Sequence, residues 1–260
     1  MNEPPIVIAA FGSTSQNALK TYEKIVRDTS ARFKNHTVKL AFTSNQVRSK
    51  LKLQGIEIDS PEEAIQKCSE DGHNKMILFS LHIVPGYMDE ILKRIQSQNM
   101  TIVHTQPLLY SDSDLEYAAS HIINSVNNEL AIVVVHGNRF KPYCNKMNLR
   151  LCEHLKAQSD SVFVCSIEGE PGTDAFDEIR KRNPKSVKVI PLMVVSGEHI
   201  LEDVMGDGVD SWKNQLNIKL ECLPPVGEDN VLMELFFKHL REAVKSAVSK
   251  SFFVFDDSRR

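Results

Sequence analysis

Three side chains able to hold a divalent metal stand at matching points in the second half of the sequence: His136, Glu168 and His199. His136 follows the apolar run Ile132–Val135, with Gly137 behind it to permit a tight turn. Glu168 follows Val162–Ile167 and precedes Gly169, and His199 comes two residues after Gly197, past Val187–Val195. Each separation fits one strand–helix–strand step, which predicts that all three converge on one cleft. Two imidazoles and a carboxylate make an open site for a borderline divalent ion, leaving positions for incoming ligand nitrogens. Imidazole also titrates near neutrality, so either histidine suits the removal of a proton from an incoming ligand N–H. A single histidine at a strand end is more often a hydrogen-bonded structural residue, and a lone glutamate there a helix cap or surface acid. The argument rests on finding three at equivalent ends.

The elements that must position them are legible as alternating short apolar runs and longer amphipathic stretches. Ile6–Phe11, Val38–Phe42, Met76–Val84, Thr101–His104, Ala131–Val135, Val162–Ile167, Val187–Val195 and Ile218–Cys222 read as strands. Ala18–Phe33, Pro61–Glu70, Met88–Ser97, Tyr143–Ala157 and Leu232–Ser249 read as helices, and Ser251–Arg260 as a frayed tail. Ser60 before Pro61, Glu62 and Glu63 is a strong helix start: a capping hydroxyl, proline at N1, and acids in the first turn. Such alternation predicts an α/β fold, a mostly parallel sheet with helices on both faces.

The order of elements repeats. Ile6–Gly12 parallels Ile132–Gly137, Phe79–Gly86 parallels Ile190–Gly197, and Gln106-Pro107-Leu108 parallels Pro224-Pro225-Val226. Three matches in one order predict two related lobes of about four strands each. The expected division is residues 1–127 and 128–260, near the polar Asn127–Asn128, with the last helix reaching back to the first lobe and the metal site in the second. Ligands of parallel α/β sheets bind beyond the carboxyl ends of the strands, often in a crevice between halves.

The first lobe lacks the metal set: Phe11 stands where His136 would be. Phe11-Gly12-Ser13-Thr14-Ser15 is a small-residue loop feeding a helix, suited to lining a pocket or meeting a carboxylate through backbone N–H groups. No G-K-[ST] follows, so it is not a phosphate-binding P-loop, and nothing points to a nucleotide or redox cofactor. His82 reads as lying within an apolar strand, where a core histidine and a pocket residue are equally good readings. His36, His73, His121, His154 and His239 read as surface or structural.

The formal net charge of −3 argues against a nucleic-acid footprint. Five irregularly spaced cysteines without a C-x-x-C argue against a disulfide framework or structural zinc and fit a reducing compartment. No run approaches a membrane span and Met-Asn-Glu-Pro-Pro has no signal-peptide character, so the expected location is the cytoplasm. The sequence leaves open whether the chain forms a homo-oligomer.

The chain also resembles the anaerobic cobalamin-pathway sirohydrochlorin cobaltochelatases, class II chelatases related to ferrochelatase. The likeness runs from about residue 6 to about 248. It rests on Phe11-Gly12-Ser13, Ala41-Phe42-Thr43-Ser44, Gly55–Pro61, Ser80-Leu81-His82-Ile83 and His136-Gly137, and above all on Pro191–His199 and Asp210-Ser211-Trp212-Lys213, with Gly227-Glu228 at the end. It implies a two-lobed chelatase fold with the tetrapyrrole in the cleft. Cobalt, or alternatively iron, would be the metal substrate, and His136 base and ligand beside Glu168 and His199. Phe11, Gly12, Ser13, Thr14, His82 and Arg139 are the expected substrate contacts, with Arg48 a further candidate. A metal or tetrapyrrole carrier without turnover, and an inactive scaffold, are the non-enzymatic readings. Relatives carry an acid shortly after the glycine matching Gly86, where this chain has Tyr87-Met88 before Asp89 and Glu90.

Overall fold

The computed structural model describes residues 3–249; the Ser251–Arg260 tail lies outside the described residues. In chain order the first half runs β1 (Ile6–Ala10), α1 (Gln16–Arg32), β2 (Val38–Phe42), α2 (Asn45–Leu53), α3 (Pro61–Glu70), β3 (Lys75–Ser80), α4 (Tyr87–Arg94), β4 (Thr101–His104) and α5 (Asp112–Ser125). The second half begins with β5 (Ala131–Gly137), a 3-10 turn at Pro142–Asn145, α6 (Lys146–Lys156), β6 (Val162–Glu168) and α7 (Phe176–Arg182). It continues with β7 (Ser186–Pro191), a π-helical turn at His199–Val204, α8 (Trp212–Leu216), β8 (Lys219–Cys222), a 3-10 turn at Val226–Glu228 and α9 (Asn230–Ser249).

Two four-stranded sheets result, ordered β2-β1-β3-β4 and β6-β5-β7-β8, and every strand pair in them is parallel. The α/β class and the two similar lobes read from sequence are therefore the observed ones. β1 is buried at all five positions, as a parallel strand covered on both faces requires. Ser60 caps α3 as expected: its hydroxyl accepts from Glu63 N–H while the Glu63 carboxylate accepts from Ser60 N–H. In each sheet the chain reverses its winding between the first and third strands, β1/β3 and β5/β7. That opens a crevice at their carboxyl ends.

Two strands stop earlier than the apolar runs imply. Met76–Val84 was expected and Lys75–Ser80 forms; Val187–Val195 was expected and Ser186–Pro191 forms. The extra residues are apolar for a different reason: Leu81, Val194 and Val195 leave the sheets and are buried in the core shared by the lobes, with Val84 packed against it. His82 consequently lies beyond β3, not within a strand.

The last helix of each half reaches toward the other half. α9 lays Phe236 and Phe237 on Phe79 of β3, with ring centroids 6.1 and 6.3 Å apart. α5 packs on α6, and its Leu115, Ala118 and Ile122 share one hydrophobic cluster with Val133, Val135 and Leu151. α5 and α9 also meet through buried Asp114, which accepts from Ser111 and from Lys238 Nζ at 3.2 Å, with His239 Nε2 at 3.4 Å. Burial alone would raise the Asp114 pKa, but the Ser111 hydrogen bonds, the neighbouring His239 and the Lys238 hydrogen bond reverse this and lower it. A carboxyl lowered on folding stabilises the protein above its unfolded value, near ~4, and loses that contribution as pH falls through the folded value. Asp114→Asn is therefore expected to cost about 2 kcal/mol at neutral pH. Urea midpoints should show the gap to the parent narrowing below about pH 4.

Candidate metal centre and cleft

His136 and His199 meet at the β5/β7 crevice. Their ring centroids are 5.0 Å apart and the rings are nearly perpendicular, 83° between planes. Both side chains are exposed. His136 Nδ1 lies 2.8 Å from the Gly137 carbonyl, which can only accept, so Nδ1 carries the hydrogen and the Nε2 lone pair is free. His199 Nδ1 lies 2.6 Å from Asp203 Oδ2, one turn along the π-helical segment, which again frees Nε2. A carboxylate or carbonyl on the far nitrogen is how ligating histidines are usually oriented, and it raises their basicity. Both imidazoles thus keep Nε2 as the free ring nitrogen. Asp203→Asn is expected to weaken Co²⁺ binding by roughly tenfold to a hundredfold, measurable by calorimetric titration of the metal alone.

The local sequence fixes this geometry. Gly137 has φ +71°, and a Cβ there would lie 1.8 Å from the Glu168 carbonyl oxygen, so the turn after His136 admits glycine alone. The following loop is clamped by buried Asn145: its Oδ1 accepts from Asn138 N–H at 2.8 Å and its Nδ2 donates to Asn138 O at 3.0 Å. Asn138 Oδ1 in turn accepts from the N–H groups of Phe140 and Lys141. The clamp presents exposed Phe140 with Arg139 stacked on it, the guanidinium carbon 4.7 Å from the ring centroid.

Glu168 ends β6 next door. The register pairs it with Gly137, not His136. Side chains alternate along a strand, so in the ladder it starts from the opposite face to the His136 imidazole. Among the described residues no three His, Cys, Asp or Glu side chains are assembled as a metal cage. The histidines are brought together; the glutamate must reach them around the strand end. Its backbone is held, since Ser166 Oγ donates to Gly169 O and accepts from Gly172 N–H, both at 2.8 Å.

Across the crevice lies the carboxyl edge of the first sheet. Phe11 is 54% exposed just past β1, a large apolar surface left uncovered. Gly12 (φ +99°) lets the chain pass the Phe42 ring, which a Cβ would approach to 2.6 Å. Ser13 accepts from Ser15 N–H at 3.2 Å, Thr14 is half-buried, and α1 begins with no side-chain cap on its amides. His82 sits past β3 beside Ser80. The segment after Gly86 meets the second lobe: Tyr143 hydroxyl donates to Glu90 at 3.0 Å, and Lys141 Nζ stands 4.0 Å from the Tyr87 ring centroid. Asp89 is buried and paired with Lys93 at 2.8 Å. Arg48, on α2, is paired with Glu63 at 3.3 Å.

Sequence reasoning missed Asp203 and Asn145. The His199–Asp203 spacing of one helical turn was a usable signal; nothing local marks Asn145.

A family model described as cobalt chelatase (CbiK) matches residues 5–245. The chain belongs to the CbiK cobalt chelatase family. Among curated relatives, this chelatase is 26% identical to the sirohydrochlorin cobaltochelatase of Salmonella typhimurium, over 95% of this chain and 98% of that one. It is 27% identical to the sirohydrochlorin cobaltochelatase CbiKC of Nitratidesulfovibrio vulgaris, over 95% and 92%. Among solved structures, SirB from Bacillus subtilis with Fe³⁺ matches with a TM-score of 0.67 at 14% identity, covering 98% of this chain and 100% of that one. CbiX, described as the terminal enzyme of siroheme biosynthesis in denitrifying bacteria, matches at 0.58 and 15%, covering 94% and 99%. At such identities the structural matches speak for the fold alone. No helix among the described residues is long and apolar enough to cross a membrane.

Proposed function

We propose that this cobalt chelatase inserts Co²⁺ into sirohydrochlorin, with His136, His199 and Glu168 handling the metal and the first-lobe edge receiving the macrocycle. The observation that carries the site assignment is the facing pair of imidazoles, each with Nδ1 tied off and Nε2 free. The substrate comes from the relatives, both sirohydrochlorin cobaltochelatases.

The metal is a substrate, so the site must release it. Two imidazoles suffice to capture the ion and leave positions for macrocycle nitrogens. A carboxylate that joins from the strand end adds charge without enclosing the ion. As the nitrogens take the metal, two pyrrole protons leave: the freed His136 Nε2 lone pair accepts one and passes it to solvent, which takes the other; Gly137 O holds the opposite nitrogen and so steadies the ring. Asp203 keeps His199 oriented throughout. Phe11 and Phe140 supply apolar faces for the flat ring, Arg139 and the open amides after Ser13 supply partners for its carboxylates, and Gly12 and Thr14 complete that wall.

Purified protein incubated anaerobically with metal-free sirohydrochlorin and Co²⁺, followed by the absorption change, tests the proposal. Acceleration over the uncatalysed rate supports it, and a faster rate with Fe²⁺ than with Co²⁺ would reassign the metal. Tight binding of both substrates without turnover would make the chain a carrier.

A further inference from the structure

Trp212, the chain's only tryptophan, is buried beneath the segment that carries His199. That segment, the π-helical turn His199–Val204, divides its residues by face. His199 and Asp203 are four apart, about half exposed, and hydrogen-bonded to each other. Ile200 and Val204, also four apart, are 1% and 0% exposed. The direction of the exposed, ligand-bearing face therefore follows from how the buried face is seated.

The seat is built around the indole. Ile200 and Val204 share one hydrophobic cluster with Trp212 and Phe176, and α8, which begins with Trp212, packs directly on the turn. Trp212 meets Phe176 edge to face, with ring centroids 5.3 Å apart and 81° between planes, an arrangement aromatic pairs favour. The link from turn to tryptophan is bolted to α8. Asn214 Nδ2 donates to the carbonyls of Asp207 and Gly208 at 2.9 and 2.8 Å, and Gln215 Nε2 donates to Asp210 O at 2.6 Å. At the end of the turn Gly206 passes so close to Glu202 that a Cβ would lie 2.3 Å from its carbonyl oxygen. A π turn is an uncommon backbone geometry, and here a packed side chain below and a pinned loop behind maintain it. Metal sites tolerate only about 0.5 Å of ligand displacement, so a change in the seat reaches the ion.

We propose that Trp212 is a positioning residue for metal capture: by seating Ile200 and Val204 it aims the His199–Asp203 face, and with it His199 Nε2, toward His136. This rests on the reading of His199 as a metal ligand.

The full chain titrated calorimetrically with Co²⁺ alone, the visible absorption of the bound Co²⁺, and KM for each substrate test this. Trp212→Leu is expected to weaken Co²⁺ binding by roughly tenfold, the lower end of the loss when a metal ligand's support is removed. It should also change the intensity of the visible Co²⁺ bands, which report coordination geometry. KM for Co²⁺ should rise while KM for sirohydrochlorin holds, because the turn carries none of the macrocycle contacts. Trp212→Phe, which keeps a ring against Phe176, should restore most of the affinity. Val204→Ala and Asn214→Ala should weaken Co²⁺ binding in the same sense but by less. Parent-like Co²⁺ affinity and spectrum in Trp212→Leu overturn the proposal, and so do equal losses of metal and macrocycle binding, the mark of a general structural defect. Should that variant fail to fold, parent-like Co²⁺ affinity in both Val204→Ala and Asn214→Ala overturns it. Unchanged Co²⁺ affinity in His199→Ala overturns the ligand reading instead, and the role of Trp212 with it.

Discussion

His136→Ala is expected to lower the rate of Co²⁺ insertion into sirohydrochlorin by roughly two to four orders of magnitude, the range for loss of a positioned acid–base group. The substitution removes one of two facing imidazoles and the only one whose Nε2 is oriented by its own turn through Gly137 O. Co²⁺ affinity should fall in the same variant. Glu168→Gln offers the contrast, because the carboxylate is not gathered with the histidines among the described residues. Its effect on binding of the metal alone should be the smaller of the two, with its larger effect appearing in turnover. Calorimetry with Co²⁺ and anaerobic absorption kinetics on both variants would decide the matter. Equal losses of metal affinity would mean that the carboxylate already belongs to the resting site.

Gly137→Ala is expected to destabilise the fold by about 3 kcal/mol or more, a sum of left-handed backbone strain and enforced separation of two strand ends. The new methyl meets the Glu168 carbonyl at 1.8 Å, and that atom is backbone, unable to swing aside as a long side chain would. Relief requires β5 and β6 to part where His136 and Glu168 emerge, so activity should fall even below the denaturation midpoint. Gly197→Ala is the control: it lies on the same crevice, near His199, yet a Cβ there meets nothing within 4 Å. Paired urea titrations should separate the two by most of the predicted difference. Similar midpoints would show that the β5–β6 ends yield cheaply.

Much of the fold was legible because strand burial and turn chemistry are local. Thr101–His104 and Val38–Phe42 form as read, and the Ser60 capping box sits where its residues announce it. The repeat was legible because both halves solve one packing problem with one strand order. Strand ends were not, since hydrophobicity reports burial and not hydrogen bonding: Leu81 and Val195 are as apolar as strand residues but serve the core between lobes. For the site, strand-end spacing placed His136 and His199 in one crevice. It could not settle which face each side chain leaves from, and Glu168 shows why. A shift of one residue in register reverses the face, and register is a property of two strands together. The His82 environment was equally hidden, because its partner Ser80 follows from where β3 stops.

The reciprocal docking of α5 and α9 limits how the crevice can work as a mouth. Each lobe is strapped by the closing helix of the other, with aromatic rings on one side and a buried carboxylate where the straps cross. The lobes are thereby denied the freedom of two jaws on a single hinge, since spreading them would peel both helices from their seats at once. A rigid planar guest must instead be admitted by the rim, where Tyr143 and Glu90 form one hydrogen bond across the gap. Opening at that rim would leave the frame between the His136–His199 pair and the opposite wall undisturbed.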